Sequence, residues 1–234
     1  MPHFPLKCEP LLVPKIWGGR RLQAVLGKRL PSRERIGEAW EVADIPEGLS
    51  RVADANGHAG TLRGLMEDHA EAVAPGNVND RFPLLIKFLD ASQNLSIQVH
   101  PGRRACEQLG PEAQSKEECW VVVHADPGAS VLHGLRPGVG KIEIANAAGT
   151  ASLPDLVRKV PIAPGDVLDV PAGTAHAISA GCVLMEVQQP SDTTYRLYDF
   201  DRQAQQDNDR PLHIEQALVA LRTGNQGEPK IAVP

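Results

Sequence analysis

Four polar residues at widely separated positions offer the donor atoms of a metal site. Gln98 and His100 share one face of a predicted strand. Glu118 opens the following strand, and His176 comes after a Pro-Gly turn. Two imidazoles, a carboxylate and an amide oxygen form a ligand set for Zn²⁺ or another first-row divalent ion, with the carboxylate offsetting the charge of the ion. The joint pattern therefore predicts a site for one divalent cation.

Each of these residues also has a structural interpretation. His176 alone is compatible with a hairpin that carries an incidental histidine, and Gln98 could close the rim of a barrel. Glu118 has a neighbour, Glu117, and one of the two carboxylates is expected to face solvent. Only the joint pattern favours a metal site over these alternatives.

A predicted turn between two short strands places His176. Residues 167–170 predict a short strand after a turn at Gly165. Pro171 and Gly173 end that strand, because proline lacks an N–H group and glycine tolerates positive φ. A histidine directly after such a turn is well placed to point into the mouth of a barrel. The spacing of these glycines, the proline and the histidine resembles the second sequence motif of the cupin family.

The elements that must hold these residues are mostly strands. The 21 glycines and 20 prolines favour many short strands and turns over a helical bundle. Thr61 is a candidate N-cap for a helix whose apolar residues recur at helical spacing. Strands are predicted at 11–16, 36–42, 82–89, 95–100, 118–124, 167–170, 182–189 and 194–200, and helices at 20–26, 62–73, 103–109, 142–148, 154–157 and 214–221.

Composition narrows the class of protein. The 234 residues are 42% apolar, which suffices for a sizeable core, and the net charge is −5 with both signs scattered along the chain. We find no basic tract, no apolar run that could span a bilayer and no signal-peptide core. The four cysteines form no CxxC pair and predict reduced thiols. We expect a cytoplasmic monomer or weak homodimer that binds neither nucleic acid nor membrane.

Several linked segments resemble the type I mannose-6-phosphate isomerases, which are zinc-dependent cupins. The segment 115–120 is similar to the Gly-Lys-Thr-Glu-x-Trp of that family, and 171–177 to its Pro-x-Gly-x-x-His-Ala turn. The segment 186–199 resembles its Glu-x-Gln-x-x-Ser-Asp-x-x-x-Arg block. Further similar segments are Trp17–Gly19, Ile36–Glu41, Phe82–Ala91 and Leu95–Pro101. The resemblance runs from about Leu11 to Leu221.

The resemblance implies a fold. This fold is mainly β, a cupin built as a double-stranded β-helix or jelly-roll barrel with a few short peripheral helices. We expect a single cupin domain over residues 1–222, in which N-terminal strands and a helix pack on the barrel. A poorly ordered tail is expected at 223–234.

The resemblance also implies site residues and one zinc ion per chain. The zinc ligands carried over are Gln98, His100, Glu118 and His176. Arg196 carries over as a catalytic residue, and Glu186 is the acid/base candidate. Substrate or phosphate contacts are implied for Lys87, Ser96 and Lys116.

The chain departs from the family pattern in two places. Ser115 and Glu117 replace glycine and threonine, which alters the turn before Glu118 but leaves Lys116 and Glu118 in place. Family members usually continue into a second, metal-free barrel. We expect no second barrel after the block 210–214, so that the substrate site is completed without it.

The implied reaction interconverts mannose 6-phosphate and fructose 6-phosphate through an enediol intermediate. A metal ion and the guanidinium of Arg196 both suit a developing oxyanion. Glu186 suits proton transfer, since a dry pocket raises the pKa of a carboxyl group. Glu186 could instead form a salt bridge that orients Arg196.

Two functions from other classes stay open. One is a sugar-binding cupin without catalysis, against which the presence of Arg196 argues. The other is an iron-dependent cupin oxygenase, because two histidines and one carboxylate also form a facial triad. Gln98 argues against the oxygenase, since it would fill a coordination position that such an enzyme keeps open.

Overall fold

The computed structural model describes residues 5–54, 56, 59–77, 80–202 and 210–231, and most of its elements are strands. The strands are β1 (Lys7–Cys8), β2 (Leu11–Gly19), β3 (Ile36–Val42), β4 (Asp44–Ile45), β5 (Gly48–Leu49), β6 (Arg51–Ala53), β7 (Ala59–Thr61), β8 (Leu85–Ala91), β9 (Ile97–Val99), β10 (Glu118–Ala125), β11 (Ser130–Leu135), β12 (Val157–Pro161), β13 (Val167–Val170), β14 (His176–Ile178), β15 (Cys182–Gln188), β16 (Tyr195–Tyr198) and β17 (Lys230–Ile231). The helices are α1 (Arg21–Leu26), α2 (Leu62–Val73), α3 (Arg103–Leu109), α4 (Lys141–Ala147) and α5 (Ile214–Ala220), with a 3₁₀ turn at Leu153–Leu156.

Two antiparallel sheets form the body of the molecule. The seven-stranded sheet has the order β17-β13-β10-β15-β8-β3-β2, and the five-stranded sheet has the order β12-β11-β14-β9-β16. This arrangement confirms the predicted cupin fold. Pro14 lies in β2 at an outer edge of the larger sheet, where a residue without an N–H group costs no ladder hydrogen bond.

An apolar core joins the two sheets. The larger sheet contributes Leu89, Val122 and Leu184, and the smaller contributes Val131 and Ile178, all of them buried. Successive residues of a strand point to opposite faces, so residues two positions from these core side chains also point inward. Lys87, Glu186 and His176 occupy such positions, two residues from Leu89, Leu184 and Ile178.

Helices cover the outer faces of the sheets. On the larger sheet, Leu22 of α1 packs with Ala39 and Val183. On the smaller sheet, α4 and α5 bury Ile144 and Ala217 in a cluster with residues of β9 and β16. The predicted cap of α2 is confirmed, because the Thr61 hydroxyl accepts a hydrogen bond from the Gly64 amide at 3.1 Å. None of the helices in the described ranges combines the length and apolar character needed to cross a bilayer.

The structure differs from the sequence predictions in several elements: the short strands β1, β4, β5, β6, β7 and β12 were not predicted, and two further differences are informative. Strand β11 was not predicted, because all six of its residues are buried and alternation is therefore lost. The C-terminal segment was expected to be poorly ordered from residue 223. Instead, Lys230 and Ile231 pair with Leu168 and Val167 as an edge strand, while residues 232–234 lie outside the described part.

Candidate metal centre and active-site cavity

Strand register places polar side chains in rows on the facing sheets. Along the seven-stranded sheet, Lys87 pairs with Trp40 on one side and with Glu186 on the other. Glu186 pairs in turn with Trp120. Across the five-stranded sheet, Arg196 pairs with Gln98, and Gln98 pairs with His176. These cross-strand neighbours bring together residues that are up to about a hundred positions apart in the sequence.

Three of the four predicted metal ligands converge at the floor between the sheets. One donor atom from each of His100, Glu118 and His176 lies within 4.8 Å of the others. The Nε2 atom of His100 is 3.1 Å from one Glu118 oxygen, and the Nε2 atom of His176 is 3.6 Å from the other. The fourth predicted ligand, Gln98, is adjacent, with its amide nitrogen 3.4 Å from the His176 Nε2 atom.

Backbone carbonyl groups orient both histidine rings. The Nδ1 atom of His100 lies 2.9 Å from the Thr193 carbonyl oxygen, and that of His176 lies 2.9 Å from the Thr174 carbonyl oxygen. With an Nδ1–H donor on each ring, the Nε2 atom is left as a bare acceptor that faces Glu118. This is the arrangement by which outer hydrogen bonds fix a metal-binding tautomer.

The turn before His176 adopts the predicted geometry. Gly173 has a φ of +84°, and a Cβ atom there would stand only 2.8 Å from the Ala220 carbonyl oxygen. Its amide donates to the His100 carbonyl at 2.8 Å, which links the loops that carry the two histidines. A residue larger than glycine would therefore disturb both histidines of the centre.

The protonation states of the three residues suit a cation. Burial, together with the charge of Lys116, lowers the pKa of His100 to about 3, and burial lowers the pKa of His176 as well. Burial alone would raise the pKa of Glu118, but Lys116 and the two histidines hold that pKa well below its usual range. At neutral pH the cluster presents two neutral imidazoles and one carboxylate, the states in which these groups bind metals.

Two buried atoms of the cluster have unused bonding capacity. The His100 Nε2 atom and the Glu118 Oε2 atom make no hydrogen bond within the described part of the chain. Buried polar atoms are normally paired, so two acceptors without a hydrogen bond in one buried cluster indicate that the cluster binds a ligand. A divalent cation fits this donor set, with Gln98 as the fourth protein ligand.

A cavity of about 330 Å³ opens above the cluster. The predicted substrate and catalytic residues line it: Lys87, Ser96, Lys116, Glu186 and Arg196. Gln98, Glu118 and His176 line it too, while His100 is buried beside it. The structure thus brings all nine predicted site residues into one region, and their individual roles stay predictions. Of the two adjacent glutamates, Glu118 is buried and Glu117 is exposed.

One wall of the cavity consists of ion-paired lysines and carboxylates from the seven-stranded sheet. We call Lys15, Glu38, Lys87 and Glu186 the lysine wall. The Lys87 Nζ atom lies 3.0 Å from Glu186 and 3.7 Å from Glu38, and Lys15 lies 3.4 Å from Glu38. Glu186 therefore pairs with Lys87, and it makes no ion pair with Arg196 in the described ranges.

Two tryptophans fix the carboxylates of the lysine wall. The indole N–H of Trp40 donates to Glu38 at 2.6 Å, and that of Trp120 donates to Glu186 at 2.8 Å. Burial and the nearby Glu118 raise the pKa of Glu186, although Lys87 opposes them. Burial would also raise the pKa of Glu38, but Lys87 and Lys15 outweigh it and lower that pKa. The two carboxylates that share Lys87 thus have pKa values shifted in opposite directions.

The facing wall carries guanidinium groups. We call Arg196, Arg210 and His213 the arginine wall, and all three line the cavity. Arg210 makes a bidentate pair with the buried Asp199, at 2.9 and 3.1 Å. Burial and the neighbouring Arg210 guanidinium lower the pKa of Arg196.

Sequence reasoning missed four charged residues of the cavity: Lys15, Glu38, Asp192 and Arg210. Lys15 lies on the edge strand β2 and Glu38 on its neighbour β3, while Arg210 lies in a polar stretch without periodicity. The pairing of β2 with β3, and of β3 with β8, was the missing information, because it brings the N-terminal strands to Lys87. No local signal in the sequence distinguishes Arg210 from a solvated arginine.

Comparisons with known proteins point to one family. The family described as phosphomannose isomerase type I, catalytic domain, matches residues 4–117. A mannose-6-phosphate isomerase of Streptococcus mutans is 40% identical over 221 residues, which are 94% of this chain and 68% of that protein. The Bacillus subtilis mannose-6-phosphate isomerase ManA is 38% identical over 217 residues, 93% of this chain and 68% of that protein. A crystal structure of the mannose 6-phosphate isomerase from B. subtilis superposes with a TM-score of 0.86 at 36% identity, covering 94% of this chain and 69% of that chain.

Proposed function

The chain belongs to the type I phosphomannose isomerase family, and we propose that it interconverts mannose 6-phosphate and fructose 6-phosphate in this cavity. The convergence of His100, Glu118 and His176 at the cavity floor is the observation that carries this proposal. These residues, with Gln98, would hold one zinc ion per chain. A bound zinc ion acts as a Lewis acid that polarises carbonyl and hydroxyl oxygens of the sugar.

Proton transfer is the task of Glu186. Isomerisation moves a proton from C2 of the open-chain sugar to C1 and a second proton from the C2 hydroxyl to the C1 carbonyl oxygen, so that C2 becomes the carbonyl carbon and C1 carries the hydroxyl group. Its raised pKa makes Glu186 a stronger base than an exposed carboxylate, and it lies on the cavity surface. Lys87 stays protonated between two carboxylates, which raise its pKa. Lys87 therefore supplies a fixed positive charge and a hydrogen-bond donor rather than a base.

Charge develops on the sugar oxygens as the enediol forms. The guanidinium of Arg196 is the cationic group of the facing wall, and it is positioned before reaction by the pairing of β16 with β9. A preorganised donor of this kind stabilises an oxyanion without reorganisation during the reaction. Ser96 and Lys116 would bind the substrate beside the metal ligands, since they contact Gln98 and Glu118 at 3.1 and 2.8 Å.

The domain bounds, cellular location, oligomeric state and partners of the chain are part of the same proposal. We propose a single cupin domain over residues 1–222 that acts in the cytoplasm on a small phosphosugar, as a monomer or weak homodimer. The net charge of −5 argues against nucleic acid as a partner. The four cysteines are free thiols, as expected of a reducing compartment.

The test is an isomerase assay in both directions on the wild type, on the wild type after chelation, and on His176→Ala. We expect activity only in the first, with recovery of the chelated protein when zinc is returned. Metal analysis of protein purified without added metal separates zinc from the iron of an oxygenase. Glu118→Gln serves as a second ligand variant, and circular dichroism verifies that each variant is folded. An active His176→Ala or chelator-resistant activity would overturn the proposal.

A further inference from the structure

The two tryptophans that bind the carboxylates of the lysine wall have different surroundings. Both carboxylates, Glu38 and Glu186, contact the same Lys87, and each accepts a hydrogen bond from one indole N–H group. Trp40, the partner of Glu38, packs in a small apolar cluster of β3, β4 and β8 and is absent from the cavity lining. Trp120, the partner of Glu186, lines the cavity and belongs to the core between the sheets. The two hydrogen bonds are alike in chemistry, but only the Trp120 side chain is itself part of the cavity.

Trp120 also contacts the metal cluster. Its ring meets the ring of His176 edge-on, with the two ring centroids 5.5 Å apart. On β10 it lies two residues after Glu118, so these two side chains point to the same face of the sheet. One buried side chain therefore links Glu186, the proposed base, to a ligand of the metal centre.

We propose that Trp120 is a positioning residue of the isomerase, which holds the carboxylate of Glu186 in a fixed place and plane relative to the metal ligand His176. The inference rests on the proposed function, because it takes Glu186 as the base. Trp120 acts through Glu186 and carries no proton itself, since an indole N–H group is a donor only. A base must lie within hydrogen-bond reach of the proton that it removes, so a small displacement of the carboxylate slows the reaction.

The partners of the Glu186 carboxylate fix its orientation. The indole nitrogen of Trp120 binds the Oε2 atom at 2.8 Å, and the Lys87 Nζ atom lies 3.0 Å from the Oε1 atom. Because the two oxygens have different partners, the carboxylate has a defined plane. Trp120 is the stiffer of the two partners, since its side chain has fewer rotatable bonds than a lysine. It is also buried in the core cluster that contains Leu168 and Leu184.

The test variant is Trp120→Phe, which keeps an aromatic ring in the core and removes the N–H donor. The kcat and KM for mannose 6-phosphate are measured on the zinc-loaded protein. A hydrogen bond to a charged group corresponds to about ten- to a hundredfold in an equilibrium constant. We therefore expect kcat to fall by roughly that factor, with KM changed by less than about threefold.

Trp40→Phe is the matched control. It removes the same kind of hydrogen bond and the same side-chain volume, but the carboxylate that loses its donor is Glu38. We expect kcat to change by less than about threefold in this variant. An equal loss of kcat in the two variants would show that Trp120 has no special role.

The direction of the change separates positioning from basicity. A hydrogen bond to a carboxylate stabilises its charged form, so removal of the donor makes Glu186 a stronger base. If basicity alone set the rate, Trp120→Phe would turn over at least as fast as the wild type. A positioning role predicts slower turnover in spite of the stronger base.

A double-mutant cycle tests whether Trp120 acts through Glu186. In the Glu186→Gln background the base is already absent, so Trp120→Phe should lower kcat further by less than about threefold. A merely structural role would lower kcat by the same factor in both backgrounds. Mannose 6-phosphate with deuterium at C2 gives a second measurement. Since proton removal is the step that is slowed, the isotope effect on kcat in Trp120→Phe should equal or exceed that of the wild type.

Circular dichroism and a zinc titration verify that each variant is folded and binds the metal. If Trp120→Phe fails to fold, benzothienylalanine at position 120 supplies the same comparison, because this tryptophan analogue keeps the shape and has sulfur in place of the N–H group. Unchanged or faster turnover, equal losses in both backgrounds, or a slowed variant with a smaller isotope effect would overturn the inference. A zinc-loaded wild type that isomerises no sugar phosphate would instead refute the proposed function on which the inference rests.

Discussion

The two walls of the cavity carry similar numbers of cations but use them differently. In the lysine wall, each ammonium group is paired with a carboxylate, and each of these carboxylates accepts a hydrogen bond from an indole N–H group. In the arginine wall, the one side-chain hydrogen bond that Arg196 makes to a described residue is a 3.4 Å contact to the Pro211 carbonyl oxygen. The charged groups of the lysine wall bind one another, whereas Arg196 in the arginine wall has a buried Nε donor that no described residue uses.

The difference in ion pairing between the two walls indicates how the cavity would orient a sugar that carries a phosphate at one end. Residues that are fixed by each other keep a defined geometry, as the reacting carbons require, and their charges cancel. Arg196, whose buried Nε atom makes no hydrogen bond in the described ranges, keeps a donor available for a negatively charged oxygen of the substrate. The metal centre lies between the two walls, since Glu118 comes from the larger sheet and His176 from the smaller.

The largest expected effect separates the two carboxylates of the lysine wall. Glu186→Gln keeps the shape of the side chain but removes the base, so we expect kcat to fall by about 10²–10⁴-fold with little change in KM. Glu38→Gln is the matched control, because Glu38 contacts the same Lys87 and has a lowered pKa. Steady-state kinetics on both variants measure the effect, and an equal or larger loss in Glu38→Gln would reverse the assignment.

A stability measurement compares the walls directly. Lys87→Met leaves two buried carboxylates without their shared ammonium group, and breaking a buried pair in this way costs about 3–5 kcal/mol. Arg196→Met removes no ion pair in the described part of the chain, and we expect a cost of about 1 kcal/mol. Urea unfolding of the two variants should therefore differ clearly, although both should lose activity. Equal losses of stability would show that the two walls are not distinct.

The smallest expected effect is a difference in the sign of pH dependence. The pKa of Glu186 is raised above 4.5, so the wild type loses stability relative to Glu186→Gln as the pH rises from 4.5 through the folded-state pKa. Arg210 and Arg202 lower the pKa of Asp199 below 3.8 against the opposing effect of burial. The advantage of the wild type over Asp199→Asn is therefore complete above pH 3.8 and shrinks below it.

Unfolding curves for these variants between pH 2.5 and about 7 provide the test. The difference from the wild type should change in opposite directions with pH for the two substitutions. If the two stability differences changed in the same direction with pH, the opposite pKa shifts assigned to Glu186 and Asp199 would be contradicted.

Local pattern in the sequence was sufficient for much of the fold and for the metal cluster. Alternation placed Gln98 on the inner face, and the Pro-Gly turn placed His176, because both signals depend on a few adjacent residues. The fully buried β11 has no alternation, and it was missed together with His133, which pairs with His176 in the sheet.

The ion-pair partners of the cavity residues were less predictable from the sequence than the metal cluster was. Whether Glu186 contacts Arg196 or Lys87 is decided by the register of β15 against β8, which joins residues 99 positions apart. The ion pair of Arg210 with Asp199 was not predictable for a different reason. The two residues are close in sequence, but the stretch between them has no periodic pattern from which a contact could be inferred.

The most direct test of the account is a zinc titration of chelator-stripped protein, with isomerase activity on mannose 6-phosphate followed against bound zinc. We predict no activity without metal and a linear rise that reaches its plateau at one ion per chain, while His176→Ala stays inactive throughout. Full activity in the stripped protein, or none at one bound zinc per chain, would contradict the account.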